Sequence, residues 1–421
     1  MKVLAIAPQP FFSPRGTPLS VYYRTLVTAE LGHTVDVLTY GQGVDPVIDN
    51  VRIVRIPAFR FLGPIKVGPS LLKAFLDVWI FAYAVAMMIR NRYDVVHAHE
   101  EAVFFCRFLQ PIFRYKLIYD LHSILSQQLT NFSFTRSRLL IGLFEKLENS
   151  CLRKADGVIS ISPALAEYAV AHVPDPDAHF LIENSLFDPL QLAEDPGRTA
   201  EHPEWLTLFG DSDAGGAGAT APGARQVPED PDAASAPREG DRQVMLYAGT
   251  FESYQGIDVV IDAFALAHEQ APDTVLLLLG GSVAQVAEAR AHADRLGLGD
   301  ACLFGGTVSR DLAQRATREA DVLLSPRTVG DNTPLKIYEQ IASGVPLVAT
   351  RIGSHTQVLS DKECVLVDPE PASMAEGMVA ALRGGPDIDH RVANARSLYD
   401  ERYSPAAYRD KMRRLFARVA G

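Results

Sequence analysis

The chain has 421 residues, 48% of them hydrophobic and 22% charged, with a formal net charge of −11. That length supplies two cores of about 150–200 residues each. The composition is that of a globular protein and excludes a disordered one, and the acidic balance excludes general nucleic-acid binding. The charge is uneven, however. Residues 52–154 hold 15 Lys/Arg against 7 Asp/Glu, which predicts a basic face on an otherwise acidic protein. Four scattered cysteines, Cys106, Cys151, Cys302 and Cys364, form no CxxC pair. They give no sign of a disulfide framework or structural zinc and fit a reducing cytoplasm.

Along the chain, β-branched strands alternate with helix-period segments. Strands are predicted at 2–7, 34–39, 51–56, 94–99, 116–120, 157–161 and 179–183, with helices over 18–31, 70–91, 137–154 and 163–171. The apolar run before Pro8 is too short for a signal-peptide core and reads as the first strand. The stretch 74–89 is the most membrane-like, but only 12 uncharged residues follow Asp77. A span needs about 20, so a buried or interfacial helix is expected and no transmembrane segment. From 194 to 242 Ala, Gly, Pro and Asp dominate, and apolar periodicity is absent except around "EWLTLF", which reads as a flexible linker or insertion. Strands resume at 243–249, 274–281, 301–306, 321–326, 345–350 and 364–368, and an amphipathic stretch, 389–419, closes the chain. Continuous apolar strands alternating with helices indicate parallel sheets covered on both faces. The expected organisation is an α/β domain over 1–193, the linker 194–242, a second α/β domain over 243–388 and a helical segment, 389–421, packing back toward the first domain. Ligands of such sheets bind outside the carboxyl ends of the strands, so a site between the two domains is expected.

The stretch "GDNTPLKIYEQIASGVPLVAT", residues 330–350, carries the most chemistry. Pro334 suits a first helical position, which makes Thr333 the expected N-cap, and the free N–H groups of a first turn form an anion site. Lys336 opposes the helix dipole unless a diphosphate neutralises it. Glu339 is suited to accept hydrogen bonds from the vicinal hydroxyls of a ribose. The bland alternative pairs Lys336 with Gln340 or Asp331 on a solvated face and leaves Glu339 as polar surface.

Asp331 and Glu339 resemble the E-x7-E element of the retaining GT-B glycosyltransferases of glycosyltransferase family 4, and "EQIASGVPLVAT" follows the same pattern. The segments "LGHTVDVLT", "DVVHAH", "YDLHS", "IENS" and "YAGTFESYQGIDVVIDAF" recur in the family's order, over nearly the whole chain except 194–242. The resemblance implies two doubly wound Rossmann-like domains facing each other across a cleft. It also implies transfer of a sugar from a nucleotide-diphosphate sugar with retention of configuration. Glu339 would bind the ribose, the N–H groups of Thr333, Leu335 and Lys336 the diphosphate, and Asp331 would lie by the donor sugar. Gly16 would form a glycine loop, Gly249 would border the donor, Pro334 would open the phosphate-binding turn, and His122 would face the reacting sugar. An ordinary βα turn at Gly16 and a buried structural role for His122 remain open, as does a core role for His97 and His99. Asn184 matches a structural turn position.

Three departures stand out. Asp331 is one methylene shorter than the usual Glu, and Pro334 replaces a common Gly. The family's Arg and Lys in G-R-x4-K-G are Thr250 and Gln255 here, so Lys336, helped by Arg327 or Arg15, is expected to replace the missing cations. No cofactor and no metal are expected; the D-x-D at Asp211 to Asp213 lies in the Gly/Ala segment, away from any strand end. The acceptor is expected to be a glycan or a polyprenyl-linked saccharide. Aromatics interleaved with cations over 59–117 suit contact with an anionic membrane from its cytoplasmic side, or else they are a core with a solvated rim. An epimerase of the same architecture and a degenerate binding protein are the rival readings.

Overall fold

In the computed structural model the described residues are 1–12, 17–59, 70–124, 137–184, 204–209, 242–330 and 333–421, with backbone alone at 71 and 138–140. The chain divides into two units, Met1–Glu194 with Ser404–Gly421, and Asp195–Tyr403.

The first unit alternates β1 (Lys2–Ala7), α1 (Thr17–Glu30), β2 (Thr34–Thr39), β3 (Val51–Arg55), α2 (Leu71–Arg90), β4 (Val95–His99), α3 (Ala102–Phe113), β5 (Lys116–Leu121), α4 (Arg138–Lys154), β6 (Gly157–Ser160), α5 (Pro163–Val170) and β7 (His179–Leu181). Its seven strands are parallel in the order β3-β2-β1-β4-β5-β6-β7. The direction of winding reverses between β1 and β4, and the carboxyl ends of those strands flank the crevice where such sheets bind ligands. The strands run nearly continuously apolar because both faces are covered: Leu4, Ile6, Val96 and Ala98 lie in one core with α2 and α3. Helix α3 went unpredicted. Its "AVFFCRFLQPIF" buries one face through Val103, Cys106 and Leu109, but it is short and carries the helix breaker Pro111.

The second unit opens, among its described residues, with a 3₁₀ turn at Glu204–Phe209. It continues through β8 (Gln243–Ala248), α6 (Ile257–His268), β9 (Thr274–Leu279), α7 (Val283–Arg295), β10 (Cys302–Gly306), α8 (Arg310–Glu319), β11 (Val322–Ser325), α9 (Lys336–Ala342), β12 (Leu347–Thr350), α10 (Gly353–Thr356), β13 (Val365–Val367), α11 (Pro371–Arg383) and α12 (Pro386–Arg402). The six parallel strands are ordered β10-β9-β8-β11-β12-β13, so this sheet reverses between β8 and β11. The turn at 204–209 is part of the core: Trp205, Leu206 and Phe209 pack with Val244, Leu246 and Leu277. The apolar "EWLTLF" thus belongs to the second unit's fold, in the middle of the stretch expected as linker.

The closing stretch is two helices. Ser404 accepts from the Ala407 N–H at 3.2 Å and Pro405 occupies the first turn, which restarts the chain as α13 (Pro405–Ala420). Helix α12 belongs to the second unit and α13 to the first. The buried face of α13, with Leu415 and Val419 against Gly157, leaves no room for a Cβ at that glycine.

Candidate functional site

At the switch point of the second sheet, the strand ends are joined through glycine backbone. Gly249 follows β8 and donates to Leu279 O at 3.0 Å; Gly280 follows β9 and donates to Gly306 O at 2.6 Å. Gly280 has φ +117°, and a Cβ there would lie 1.8 Å from Gly249 O. Gly256 has φ +72°, and a Cβ there would meet Pro326 O at 2.2 Å. Only glycine lets the loops after β8, β9 and β11 approach this closely.

Into this corner α9 delivers Lys336. Its Nζ sits 4.0 Å from the centre of the Tyr247 ring, and a Cβ on Gly249 would lie 3.4 Å from it. The Tyr247 hydroxyl is held by donation to Thr250 O at 2.7 Å. Among the described residues Lys336 Nζ is buried with no hydrogen-bond partner. Burial, with the nearby Arg327 charge second, pushes its pKa down to about 7. The Arg327 guanidinium lies 5.0 Å from the Tyr254 ring centre, against the loop that carries Thr250 and Gln255, and Nε donates to Val329 O at 2.9 Å. Two neighbouring cations, one of them an ammonium with no partner among the described residues, make a site that an anion completes. Beneath them His355, fully buried, lies 3.0 Å from Ser325 Oγ and 2.8 Å from Thr350 O. Burial holds it down to about 4, so it ties the ends of β11 and β12 together as a neutral ring.

The N-terminus of α9 differs from expectation. The helix starts at Lys336, with Leu335 at the cap position and no side-chain cap. Ile337 N–H donates to Pro334 O at 3.0 Å, so a tight turn precedes the helix. Thr333 is therefore no N-cap; its Oγ1 is buried without a partner among the described residues. Glu339 lies on the first turn, about a quarter exposed. Its Oε1 accepts from Arg310 Nη2 and from Gln314 Nε2, both at 3.2 Å. Arg310 and Gln314 stand one turn apart on α8, and nothing in their local sequence pointed to Glu339. Asp331, like Gly16, Arg15 and the Asp211 to Asp213 pair, falls outside the described residues.

The first unit holds a second cluster at its strand ends. His122 follows β5, and its Nε2 is 3.2 Å from His99 Nδ1 and 3.4 Å from Asp120 Oδ1. His97 Nε2 is 3.2 Å from Asp120 Oδ2, and its ring stacks on that of His99 at 4.4 Å. Asp120 was not singled out from sequence, because "YDLHS" shows only one His beside it. Arg24 on α1 donates from Nε to Asp120 Oδ2 at 3.0 Å, from Nη2 to Ile182 O at 2.7 Å, and from Nη1 to the Tyr408 hydroxyl of α13. Burial alone would raise Asp120; Arg24, with His122 and His97, outweighs it and holds the carboxyl well below the usual range. Burial drives His122 down to about 4 and His99 well below its usual value. Both rings are neutral near pH 7, and among the described residues His122 Nδ1 and His99 Nε2 have no partner. His97, His99 and Asp120 present ligand atoms within 4.8 Å of one another. The Arg24 charge already neutralises Asp120, so this set does not favour a divalent cation. Asn184 is structural, its Oδ1 accepting from Ser20 Oγ at 2.6 Å.

The glycosyl transferase 4-like domain matches residues 24–185, and the family of glycosyl transferases group 1 matches residues 229–398. The phosphatidyl-myo-inositol mannosyltransferase of Mycobacterium tuberculosis is 30% identical over 192 residues, 44% of this chain and 49% of that protein. The chain thus spans about half the length of the curated relatives it matches. Among solved structures, Anabaena Alr3699/HepE in complex with UDP has a TM-score of 0.65 at 17% identity, covering 99% of this chain and 100% of that one. Sucrose-phosphate synthase from Thermosynechococcus elongatus has a TM-score of 0.65 at 18% identity, covering 100% and 99%. These likenesses establish the two-domain Rossmann-like GT-B fold.

Proposed function

Since the chain belongs to the GT-B glycosyltransferases of the group 1 and 4-like families, we propose that it moves a hexose from a nucleotide-diphosphate sugar to a glycan or lipid-linked saccharide. Configuration at the transferred carbon is retained and no metal is needed. The observation that carries the reading is the buried ammonium of Lys336, without a hydrogen-bond partner among the described residues, at the switch point of the second sheet. A leaving diphosphate gathers negative charge in the transition state, and a cation fixed beforehand in a poorly solvated corner stabilises that charge without reorganising. Lys336 and Arg327 take the place of the cations absent at Thr250 and Gln255. Thr333, Pro334 and Leu335 border the diphosphate and Gly249 lets it approach the backbone. Glu339, held by Arg310 and Gln314, offers its second oxygen to the ribose. Asp331 is assigned to the donor sugar and Gly16 to the glycine loop on the acceptor domain. His122 is assigned to the reacting sugar, where a neutral ring with an open Nδ1 can accept or donate one hydrogen bond. An acceptor on a lipid, met at the cytoplasmic side of a membrane, belongs to the same proposal and is supported by the likeness to the mycobacterial phosphatidyl-myo-inositol mannosyltransferase.

Incubating the protein with UDP- and GDP-hexoses and following nucleoside diphosphate release tests this. One donor should be consumed, by slow hydrolysis alone and faster with a saccharide acceptor, and Lys336→Met should lose most of the rate. Conversion of the sugar with no nucleotide released would assign epimerase chemistry instead; no turnover of any donor would overturn the reading.

A further inference from the structure

Helix α2 is 20 residues long and apolar on both sides. One side is in the core of the first unit, through Leu76, Ile80, Ala84, Met87 and Met88. The opposite side carries a row of Phe75, Val78, Ala82 and Ile89, with the partly buried Val85 at its edge packing against the core. Phe75, Val78 and Ile89 are 44%, 65% and 70% exposed, and Phe81 beside the row is 42% exposed. Of the three charges within the helix, Lys73 and Asp77 turn away from this row and Arg90 stands at its end. Lys73 pairs with Glu101 at 2.8 Å, and Asp77 accepts from the Tyr40 hydroxyl at 2.5 Å. A surface helix ordinarily does the reverse, keeping its charges outward.

Cations collect where the helix ends. A cavity of about 210 Å³ is lined by Met88, Ile89, Arg90, Arg92, Phe113 and Tyr115. Arg90 and Arg92 are exposed, as are Arg114 and Ile112 at the end of α3, the latter at 68%. The helix is long and apolar enough to cross a bilayer, but its inner side is committed to the protein core, so it can lie on a membrane and cannot span one.

We propose that α2 is an interfacial helix that lays its Phe75–Ile89 row on an anionic bilayer, with Arg90 and Arg92 receiving headgroup phosphates in the cavity at its C-terminal end. Charge complementarity selects this occupant. The row sits in the segment with 15 Lys/Arg against 7 Asp/Glu, within a chain of net charge −11. A second copy would bring the same cations to the contact, whereas a membrane of anionic lipid supplies their counter-charge. The inference rests on the functional proposal only in giving a lipid-linked acceptor a surface on which to be met.

Flotation of the full chain with vesicles of phosphatidylcholine, alone or mixed with phosphatidylglycerol, tests it. The protein should float with the mixed vesicles, stay behind with the neutral ones, and be partly released by high salt. Val78→Asp combined with Phe81→Asp should abolish flotation, as should Arg90→Ser with Arg92→Ser. Val170→Asp, at an exposed apolar site on α5, should not. Nucleotide binding by each variant reports folding and the donor site separately, so loss of flotation with binding intact supports the docking face alone. Equal flotation with neutral vesicles, none with either, or full flotation of the Val78/Phe81 variant would overturn it. So would a dimer that the same substitutions dissociate in the absence of lipid.

Discussion

Lys336 shows how one side chain can set two opposite pH dependences. Its pKa is lowered from 10.5 to about 7, mainly by burial. Between those values the unfolded chain carries a proton that the folded one does not, so this group makes the unliganded protein more stable as pH rises from 7 to 10.5. A bound diphosphate stabilises the ammonium and reverses the preference, so nucleotide affinity should fall as pH rises through 7. Calorimetry at pH 8 in two buffers of different ionisation enthalpy should show uptake approaching one proton per nucleotide bound, absent in Lys336→Met. Uptake unchanged in that variant would remove the lysine from the site. The clamp on Glu339 is tested separately. Arg310→Gln should weaken a ribonucleotide about five-fold, the value of roughly 1 kcal/mol for a hydrogen bond, and leave the 2′-deoxynucleotide almost unaffected. Equal loss for both would mean that Arg310 supports α8 generally and does not position the carboxylate. The sequence exposed Lys336 because a cation in a first helical turn is locally unfavourable. It hid Arg310, Gln314, Arg24 and Asp120 because each acts through a partner 23 or more positions away.

At the scale of elements, the thirteen strands among the described residues were legible, because a buried parallel strand writes itself as a continuous apolar run between turn residues. Their ends moved by one or two residues where the last side chain leaves the ladder, as at β7, which stops at Leu181. What misled was local context. Helix α3 was hidden by Pro111, a helix breaker within a short segment, and the start of α9 shifted from Pro334 to Lys336 because a tight turn takes up the first residues. The segment 204–209 was readable only as an exception within a polar stretch, and its weight comes from tertiary packing. Trp205 is 7% exposed and shares a core with Leu277 and Leu279. Trp205→Ala should therefore destabilise the second unit by about 3–5 kcal/mol in urea unfolding. A loss within the surface range of about 0.5 kcal/mol would show that the turn merely rests on the sheet.

Across the whole molecule, two doubly wound sheets each place their chemistry at a point of reversed winding. Ligands of such sheets bind outside the carboxyl ends of the strands, which the sequence marks by the turn residues after each apolar run. In the proposed reaction the two clusters have different roles. The second unit presents cations and a clamped carboxylate, the complement of a nucleoside diphosphate. The first presents neutral histidines over a buried Arg24–Asp120 pair, suited to hydroxyls and unsuited to an anion. The pair itself depends on α13, whose Tyr408 completes the Arg24 contacts from the far end of the sequence. The central claim is that the donor nucleotide binds at Lys336 and Glu339. Its most direct test is calorimetric titration of UDP, GDP and ADP into the wild-type protein, with Glu339→Ala and Lys336→Met alongside. Binding of one of the three, weakened at least ten-fold in both variants, is the predicted result. Binding of none, or binding that both variants retain at full strength, would contradict the account.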